Sequence, residues 1–527
     1  MRHTRYNSAQ RYTYAVQSTV VEVWTLFVWL HLKTSRTYIQ LQSLSEIELR
    51  KKHIFIPPPE LKIVAPSEQH KHFQEGFTAV NKGLFGNLRN SSPLSEYRYA
   101  SPSPAFAGIY LWDSAFISQI WRWWDRTTAI DILLAVIAQR DGDRLQHAVK
   151  AYGSSRLTQP PLIAWSLAEI AKERWDETVQ ATVKEAYPAL VKYNAWLCKN
   201  RRLQNGLFAW AKPYESGIDN SPRFSNRAES KTQPTTALAS PDFSTYMVLD
   251  SEALATLADQ LGHKKESSTY HKQAAAIRTA MNTYLWHDKD GLYYDHSIDG
   301  TWIRSRTITS LIPLWAGIPT ARQARRLCQH AIAPESFGTL IPLPSVALDD
   351  PDFELDMWRG PVWINTAYAV LIGLRRYGFT QETSELAWRL VNGVYSVFKT
   401  EGTIYEFYDP RSYSVSQLSR KRGNYLKRLT LGSGPQRHFV GWSGLANSIV
   451  VEILFGFQIC NGQRTLRPAF PDAAIGVSFR LNLPQEKLTI ELTVDEDRRT
   501  HGTFRHGSKS RKHEFTTQFG EVVLIDD

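Results

Sequence analysis

Cysteine is scarce in this chain of 527 residues, which has only Cys198, Cys328 and Cys460. Their number is odd and they lie far apart, so the sequence contains neither a disulfide framework nor a metal-binding spacing. Proteins with few cysteines and no disulfide framework are typical of reducing compartments. We therefore expect three buried structural thiols and a cytoplasmic protein.

The chain also lacks a long apolar run. The stretch 20–32 is interrupted by Glu22, and it is shorter than the roughly 20 residues that a membrane-spanning helix needs. It begins late for a signal peptide and is not followed by a small-residue cleavage site. The sequence therefore predicts no membrane partner.

Acidic residues are the minority, 51 against 62 lysines and arginines, which gives a formal net charge of +11. The excess does not indicate nucleic-acid binding, because the basic residues gather near the N-terminus, in 420–437 and in 498–513. Nucleic-acid binding favours a basic face along one element with interleaved aromatic residues. No nucleic-acid partner is predicted.

Apolar residues recur at steps of three and four from about residue 110 to 457, as at Tyr270, Ala274, Ile277, Met281 and Leu285. This spacing is typical of amphipathic helices. The stripes predict paired helices with no strand between partners, which favours a mainly α fold, a closed toroid with its functional loops at one rim. The predicted helices are 113–124 with 126–139, 160–172 with 176–199, 244–262 with 265–286, 306–316 with 320–332, 362–377 with 381–399, and 442–457.

The pattern changes at both ends of the helical region. Residues 1–70 show weak periodicity and are expected to form an N-terminal extension of uncertain structure. Residues 71–460 are expected to form the helical body. After 460 the sequence alternates apolar and polar residues, which predicts a small β-rich region, 461–527, of three to five strands.

Two turns combine carboxylates with aromatic residues. In 212–223, Glu215 and Asp219 lie in a turn rich in Pro, Gly, Ser and Asn, together with Tyr214; in 404–410, Glu406 lies between Tyr405 and an Asp-Pro pair. Carboxylates held beside aromatic faces can bind a sugar and protonate its glycosidic oxygen. The Asp219 turn also has the composition of an ordinary turn, so neither segment is decisive alone.

Four further segments lie in loops or at helix starts, namely 110–114, 158–161, 357–361 and 441–443. Each has a structural explanation when taken singly; Asp113, for example, could cap a helix. Their shared position at one set of helix ends favours a functional site.

All six segments, in this order, resemble glycoside hydrolase family 63, in particular the bacterial branch similar to mannosylglycerate and glucosylglycerate hydrolases. The resemblance runs from about 105 to 457. It is carried by Leu111-Trp-Asp-Ser-Ala-Phe, Thr158-Gln-Pro-Pro, Glu215-Ser-Gly-Ile-Asp-Asn-Ser-Pro-Arg, Met357-Trp-Arg-Gly-Pro-Val-Trp-Ile-Asn, Tyr405-Glu-Phe-Tyr-Asp-Pro and Phe439-Val-Gly-Trp-Ser.

The resemblance implies an (α/α)6 barrel and hydrolysis of a small α-glucoside or α-mannoside with inversion, without metal or other cofactor. It implies that Asp219 is the general acid and Glu406 the general base. The predicted substrate contacts are Tyr110, Trp112, Asp113, Gln159, Tyr214, Glu215, Gly217, Arg223, Trp358, Arg359, Trp363, Tyr405 and Trp442.

The chemistry of the residues agrees with these roles. Acetal hydrolysis by inversion needs one protonated and one ionised carboxyl, about 6.5–9.5 Å apart. A negative charge on Glu215 would raise the pKa of Asp219 and keep its proton available. Glucosyl- or mannosylglycerate is the favoured substrate; a gluco-oligosaccharide and trehalose are the alternatives.

Residues 411–438 depart from the family, because relatives usually have a short Gly-rich stretch there, whereas this chain has a long basic insertion with Lys421, Arg422, Lys427, Arg428 and Arg437. The insertion could be a surface loop or a lid that supplies cations to an anionic aglycone such as glycerate. It could also displace the turn that carries Glu406.

Two other functions remain open from the sequence. The acidic loop Asp349-Asp350-Pro351-Asp352 resembles a magnesium-binding cluster of a cyclase built on an α-toroid, although a solvated acidic loop explains it as well. A catalytically inactive sugar-binding protein would share the aromatic and carboxylate segments. The sequence leaves a homo-oligomer open.

Overall fold

Helices form most of the regular structure in the computed structural model, which describes residues 56–65, 70–90, 93–224, 235–420, 429–507 and 511–525. From residue 57 onward the described residues form one compact unit. The apolar stretch 20–32 and most of the predicted extension 1–70 lie outside the described residues.

The helices are α1 (Lys71–Asn87), α2 (Leu111–Trp121), α3 (Arg126–Ala138), α4 (Ile163–Glu173), α5 (Glu177–Arg201), α6 (Pro241–Gln260), α7 (Lys264–Tyr284), α8 (Ala321–Ile332), α9 (Ile364–Arg376), α10 (Thr380–Glu401) and α11 (Leu445–Ile449).

Side chains at the helix starts explain several of these boundaries. Asp125 accepts a hydrogen bond from the Thr127 backbone N–H and begins α3, and Asp176 begins α5 in the same way. Thr320 and Gln323 form a reciprocal capping box at the start of α8. Such caps satisfy backbone N–H groups that have no partner within the helix.

The predicted helix pairs are present except in one half-pair and at the last helix. The segment predicted as a helix at 306–316 forms two short 3₁₀ turns, Ile308–Ser310 and Ile312–Leu314. Pro313 lies in the second turn, where a longer helix would need an N–H that proline lacks. The predicted helix 442–457 is divided into α11 and a π-helical turn, Val450–Leu454.

The helices differ in how much of their surface is buried. Every residue of α2 is buried, which is the pattern of a helix surrounded by protein on all sides. Helix α7 buries only one face, with Ala274, Ile277 and Met281 on it, as the predicted stripe requires. No helix among the described residues is both long and apolar enough to cross a membrane.

Most strands of two antiparallel sheets follow the helices. The larger sheet contains, in spatial order, β1 (Glu60–Ala65), β14 (Ser478–Leu483), β15 (Leu488–Val494), β16 (Thr500–His506) and β17 (His513–Thr517). Its edge strand β1 precedes α1 and pairs with β14, so residues 60–65 of the predicted extension join this sheet. The smaller sheet has the order β12-β13-β18. The strands outside the larger sheet are β2 (Leu88–Arg89), β3 (Tyr99–Ala100), β4 (Ile109–Tyr110), β5 (Ala148–Lys150), β6 (Gly153–Ser154), β7 (Leu238–Ala239), β8 (Trp286–His287), β9 (Leu292–Tyr293), β10 (Asp295–Ser297), β11 (Trp302–Ile303), β12 (Gln458–Cys460), β13 (Gln463–Leu466) and β18 (Val523–Ile525).

Two sequence-based expectations about this region were wrong. Six described strands, β13 to β18, follow residue 460, where three to five were predicted. Cys460 is exposed, although Cys328 is buried and Cys198 is half-buried. Strand β12 alternates its faces, so that Ile459 points inward and its neighbour Cys460 points outward.

Candidate active site

Four tryptophans from the predicted segments pack against one another and are buried. Trp358 stacks on Trp363 with ring centroids 3.7 Å apart and planes 7° apart. Trp112 lies 6.2 Å from Trp358 and 5.8 Å from Trp442. The segments that begin at residues 110, 357 and 441 therefore meet at one place, which we call the tryptophan cluster (Trp112, Trp358, Trp363 and Trp442).

The turn that carries Asp219 packs directly on this cluster through Gly217. The turn begins with a 3₁₀ segment, Pro213–Ser216, and Gly217 ends it at φ 74°. A Cβ atom at this position would lie 2.7 Å from a ring carbon of Trp112. Glycine is required here both for the left-handed backbone and for the close approach of the indole.

Glu215 holds the turn in place through hydrogen bonds to its carboxylate. Its side chain is fully buried, and Arg201 donates to both carboxylate oxygens over 2.7 and 3.0 Å. The backbone N–H groups of Ala211 and Thr158 donate to the same carboxylate over 3.0 and 3.4 Å. Because Arg201 compensates its charge, this geometry supports a positioning role for Glu215 rather than the predicted effect on the pKa of Asp219.

Gln159 connects the second segment to the tryptophan cluster. Its side-chain oxygen accepts a hydrogen bond of 3.3 Å from the Trp112 backbone N–H. The Tyr193 hydroxyl of α5 donates to the Gln159 carbonyl over 3.2 Å. The side chain of Gln159 thus supports the start of α2, the helix that carries Trp112 and Asp113.

Asn220, next to Asp219, joins the acid turn to the loop before α9. Its amide donates to the backbone carbonyl of Asp356 over 3.2 Å and to Asp356 Oδ2 over 3.4 Å. Its side-chain oxygen accepts from the Trp358 N–H over 3.0 Å. Sequence reasoning missed both Asn220 and Asp356; the position of Asn220 beside Asp219 was the available signal.

The turn of Glu406 is held by the last residues of the insertion and by the segment that follows it. The backbone N–H of Gln436 donates to Glu406 Oε2 over 3.1 Å, and the Glu406 N–H donates to the Gln436 carbonyl over 3.0 Å. Trp442 Nε1 donates to the Glu406 carbonyl over 3.0 Å, and the Ser443 hydroxyl donates to the Tyr405 carbonyl over 2.6 Å. Glu406 is buried, and its backbone is fixed beside the tryptophan cluster.

Arg420, in the insertion, lies against Glu406. Its guanidinium forms an ion pair with Glu406 Oε2 and lies 5.5 Å from the centroid of the Phe407 ring. Burial lowers the pKa of Arg420 to about 10, while the negative charges of Asp219 and Asp356 act in the opposite direction. Glu406 is in direct contact with the guanidinium, and Asp219 and Asp356 interact with it electrostatically. The two predicted catalytic carboxylates therefore belong to one region of the fold.

Asp113 is a buried carboxyl with a raised pKa. It lies in the first turn of α2 and is 3% exposed. Burial raises the pKa of Asp113 to about 8. A group with this pKa can donate or accept a hydrogen bond with a sugar hydroxyl near neutral pH.

Arg223 and Arg359, two of the predicted sugar contacts, each form ion pairs with carboxylates of the protein. Arg223 is buried between Asp242, at 2.6 Å, and Asp295, at 3.0 Å. Arg359 donates to Glu354 over 2.9 Å and lies 3.8 Å from Asp352. In this geometry both guanidiniums support the loops around the site, and any contact with a sugar stays a prediction.

The three predicted tyrosine contacts lie at different depths. Tyr214 is 37% exposed, with its ring 5.0 Å from that of His147. Tyr110 is 8% exposed, and the Lys150 ammonium lies 5.4 Å from its ring. The buried Tyr405 points its hydroxyl to Glu401, 3.5 Å away. Tyr214 is the tyrosine of this set with the most accessible surface for a ligand.

The cations of the insertion have different environments, and Arg411 is half-exposed beside Asp409. Lys421, Arg422, Lys427 and Arg428 lie outside the described residues. Arg437 lies 5.7 Å from the Tyr405 ring and donates to the Glu401 carbonyl over 3.3 Å. Arg420 is engaged with Glu406 inside the site, so the described part of the insertion includes more than a solvated surface loop.

The carboxylates of the acidic loop 349–352 form ion pairs with arginine side chains of the protein. Arg306 lies 2.8 Å from Asp349 and 3.6 Å from Asp350. In the described part of the chain, no group of three or more His, Cys, Asp or Glu side chains is arranged to hold a metal ion. The loop geometry therefore gives the cyclase hypothesis no support.

Comparison with known proteins agrees with this arrangement. The model of the mannosylglycerate hydrolase MGH1-like glycoside hydrolase domain matches residues 107–424. The chain belongs to this family. The match confirms the resemblance to glycoside hydrolase family 63, and it ends inside the insertion.

Relatives of this family are similar at moderate identity. A mannosylglycerate hydrolase of Thermus thermophilus is 26% identical over 374 residues, covering 57% of this chain and 88% of the relative. The mannosylglycerate hydrolase MGH1 of Selaginella moellendorffii is 26% identical over 316 residues, covering 50% of this chain and 63% of the relative. This chain thus spans less than two thirds of the plant relative.

A solved structure shows the shared fold. A GH63 mannosylglycerate hydrolase from a second strain of Thermus thermophilus, in complex with Tris, superposes with a TM-score of 0.59 at 22% identity. The superposition covers 70% of this chain and 98% of the Thermus chain. The mainly α fold of this glycoside hydrolase is therefore present here.

Proposed function

We propose that this protein hydrolyses a small α-mannoside or α-glucoside with inversion, that Asp219 is the general acid, and that Glu406 is the general base. We further propose that its paired helices close into an (α/α)6 barrel with the site at one rim. The observation that carries the proposal is that the turn of Asp219 and the turn of Glu406 meet at the tryptophan cluster, the first through Gly217 on Trp112 and the second through the Trp442 hydrogen bond to the Glu406 carbonyl.

The reaction follows from the two carboxyls. Protonated Asp219 would donate its proton to the glycosidic oxygen as the bond to the anomeric carbon breaks. Ionised Glu406 would take a proton from a water molecule that attacks the opposite face of that carbon. This single displacement inverts the anomeric configuration, since no covalent glycosyl-enzyme intermediate forms.

The rest of the site would bind and desolvate the sugar. Indole faces stack on the apolar faces of sugar rings. Trp442, at 7% exposure the most accessible member of the tryptophan cluster, would be the first to meet the sugar. Asp113 would hold a sugar hydroxyl. Exclusion of water strengthens the electrostatic stabilisation of the positively charged transition state by the surrounding carboxylates.

A glycerate glycoside is the substrate that we favour. The relatives from Thermus and Selaginella are named for mannosylglycerate, and the family model carries the same name. Glucosylglycerate differs only in the sugar. Gluco-oligosaccharides and trehalose are the alternatives that the same pair of carboxyls could hydrolyse.

The test is a panel of α-linked substrates followed by proton NMR, with mannosylglycerate, glucosylglycerate, trehalose and an α-gluco-oligosaccharide. We expect the β-anomer of the sugar to appear first, before mutarotation. With the glycerate glycosides, first release of the α-anomer would reject inversion. With trehalose, whose leaving glucose is released as the α-anomer in either case, the absence of any initial β-anomer would reject it. Binding of these compounds by calorimetry without any turnover would instead identify an inactive sugar-binding protein.

A further inference from the structure

We propose that Arg420 is a positioning residue for the catalytic base. In this proposal it holds one oxygen of Glu406, so that the other oxygen is free to take the proton from the attacking water. The inference rests on the proposed function, because it assigns a task to Arg420 in that reaction. Arg420 comes from the insertion 411–438 and belongs to none of the six segments that the sequence identified.

The two carboxylate oxygens of Glu406 have different environments. Oε2 is in contact with the Arg420 guanidinium and accepts a hydrogen bond of 3.1 Å from the Gln436 backbone N–H. Among the described residues, no hydrogen bond reaches Oε1. A general base needs one oxygen within hydrogen-bond reach of its water, and this asymmetry leaves Oε1 for that purpose.

Arg420 is itself held on several sides, as a positioning residue should be. Its side chain is 3% exposed. Its backbone N–H donates to the Ser433 carbonyl over 2.8 Å, and its Nε donates to the Gly434 carbonyl over 3.1 Å. Ser433 and Gly434, just before Gln436 in the same insertion, therefore fix the position of the guanidinium.

The residue before Arg420 ties the insertion to the loop of Asp356. The Ser419 N–H donates to the Leu355 carbonyl over 2.8 Å, and the Met357 N–H donates to the Ser419 carbonyl over 3.1 Å. Asn220 joins the same loop to the turn of Asp219. One connected framework thus places Arg420 between the acid turn and the base turn.

The charges around Arg420 favour this task over recognition of an anionic aglycone. Asp219, Asp356 and Glu406 already act on the guanidinium, so a further carboxylate would meet three negative charges. Arg420 touches Glu406 directly, and it therefore stabilises the ionised form of Glu406 more than that of Asp219. The acid and the base need such opposite protonation states.

The experiment compares the Arg420→Ala, Arg420→Gln and Arg420→Lys variants with wild type on the preferred α-glycoside. We expect kcat to fall about 100-fold for Ala and Gln while KM changes less than about threefold, since a lost base-positioning contact affects the transition state. The acidic limb of the kcat/KM profile should move to higher pH. Arg420→Lys should restore about a tenth or more of the wild-type rate.

Arg411→Ala is the matched control, because Arg411 lies in the same insertion with 47% of its side chain exposed. Its guanidinium lies 3.7 Å from Asp409 and 5.7 Å from the centroid of the Phe353 ring. Its kinetics should match wild type. Thermal unfolding of every variant verifies folding. In a Glu406→Gln background, Arg420→Ala should reduce the rate less than about threefold further, because Arg420 acts through Glu406.

Three results would overturn the proposal: Arg420→Ala with wild-type kcat and pH profile, a faster Arg420→Ala enzyme, or a change in KM alone. The last would reassign Arg420 to aglycone binding. If wild type inverts α-glycosides while Arg420→Ala is unchanged, the proposed function stands and this inference fails. If wild type cleaves no α-glycoside in the panel, both fail.

Discussion

The two ends of helix α2 bury charge in different ways. The helix begins beside the tryptophan cluster, where Asp113 lies in its first turn, and it ends one residue before Arg122. Eleven residues of α-helix span about 16 Å. At the far end Arg122 lies 3.1 Å from Glu173 and 2.8 Å from Glu452.

At the far end each described carboxylate meets several donors. Glu452 also accepts hydrogen bonds from Trp123 and Tyr368, over 2.8 and 2.7 Å. Glu486, beside β15, lies within 3.5 Å of three guanidiniums, those of Arg126, Arg174 and Arg464. This network joins the helices to the C-terminal sheet.

At the other end of α2, beside the tryptophan cluster, Arg420 pairs with Glu406 and interacts electrostatically with Asp219 and Asp356, and burial raises the pKa of Asp113 to about 8. Carboxyls with many donors are held in one protonation state and serve architecture. Carboxyls with little compensation can gain and lose protons, which is what acid–base chemistry requires. Glu173 is the exception at the far end, because burial outweighs its contacts with Arg122 and Arg126 and raises its pKa to about 7, so that this end also responds to pH.

The sharpest test of this difference replaces the proposed catalytic carboxyls by amides. We expect Asp219→Asn and Glu406→Gln each to lower kcat by about 10²–10⁴-fold, because each removes a proton transfer. The thermal midpoint should stay within a few degrees of wild type. Steady-state kinetics and calorimetry measure both effects, and a variant with near-normal turnover would reassign that role.

The opposite outcome is expected at the far end. Arg122→Met leaves Glu173 and Glu452 without their shared guanidinium, and it should lower the free energy of unfolding by about 3–5 kcal/mol. The kcat of the folded enzyme should change less than about twofold, since the site lies at the other end of α2. Urea denaturation checks the stability. A large loss of kcat with unchanged stability would contradict the division between the two ends.

Gly217→Ala tests the contact between the acid turn and the tryptophan cluster. The left-handed backbone alone should cost about 1–2 kcal/mol of unfolding free energy, and the Cβ contact with Trp112 should add about 1–3 kcal/mol. We also expect turnover to fall about tenfold or more, because Asp219 would be displaced.

Gly262→Ala is the matched control, since Gly262 has φ 82° and a Cβ there would have no neighbour within 4 Å. It should show the backbone cost without loss of turnover. Equal effects of the two substitutions on stability and activity would show that the Trp112 contact is unimportant.

Asp113→Asn should change stability least at low pH, where both side chains are neutral, and its effect should grow with pH. The Asp113 pKa is about 8 in the folded chain and about 3.9 in the unfolded chain. Between these values unfolding releases a proton from Asp113, so the contribution of Asp113 to the free energy of unfolding falls as pH rises from about 4 to 8.

Because asparagine does not titrate, the variant should gain stability relative to wild type as pH rises, on the order of 3 kcal/mol between pH 5 and 8. Thermal unfolding at the two pH values measures this difference. A constant difference between variant and wild type would show that Asp113 does not titrate in this range.

Sequence patterns predicted the helices well because each is a local, periodic signal. The stripe from Ala274 to Met281 is buried along α7 as expected. The 3₁₀ turns around Pro313 were missed because apolar periodicity does not distinguish a buried helix from a buried irregular segment. The pairing of β1 with β14 joins residues over 400 positions apart, and no local pattern contains that information.

The candidate site divides in the same way. Short motifs identified the Asp219 turn, the Glu406 turn and the tryptophans, because glycine, proline and paired aromatic and acidic residues mark such turns. Asn220 lies within one of these motifs but received no predicted role, and none of the motifs contains Arg420. Their importance comes from hydrogen bonds and ion pairs with residues distant in the sequence.

The sequence by itself determined the helical class, the family and the set of polar and aromatic residues available for chemistry. The tertiary structure decided which charges compensate which: Arg201 for Glu215, Arg223 for Asp242 and Asp295, and Arg420 for Glu406. The physical reason is that burial makes each charge depend on its nearest neighbours in space. Those neighbours are set by packing between elements far apart along the chain.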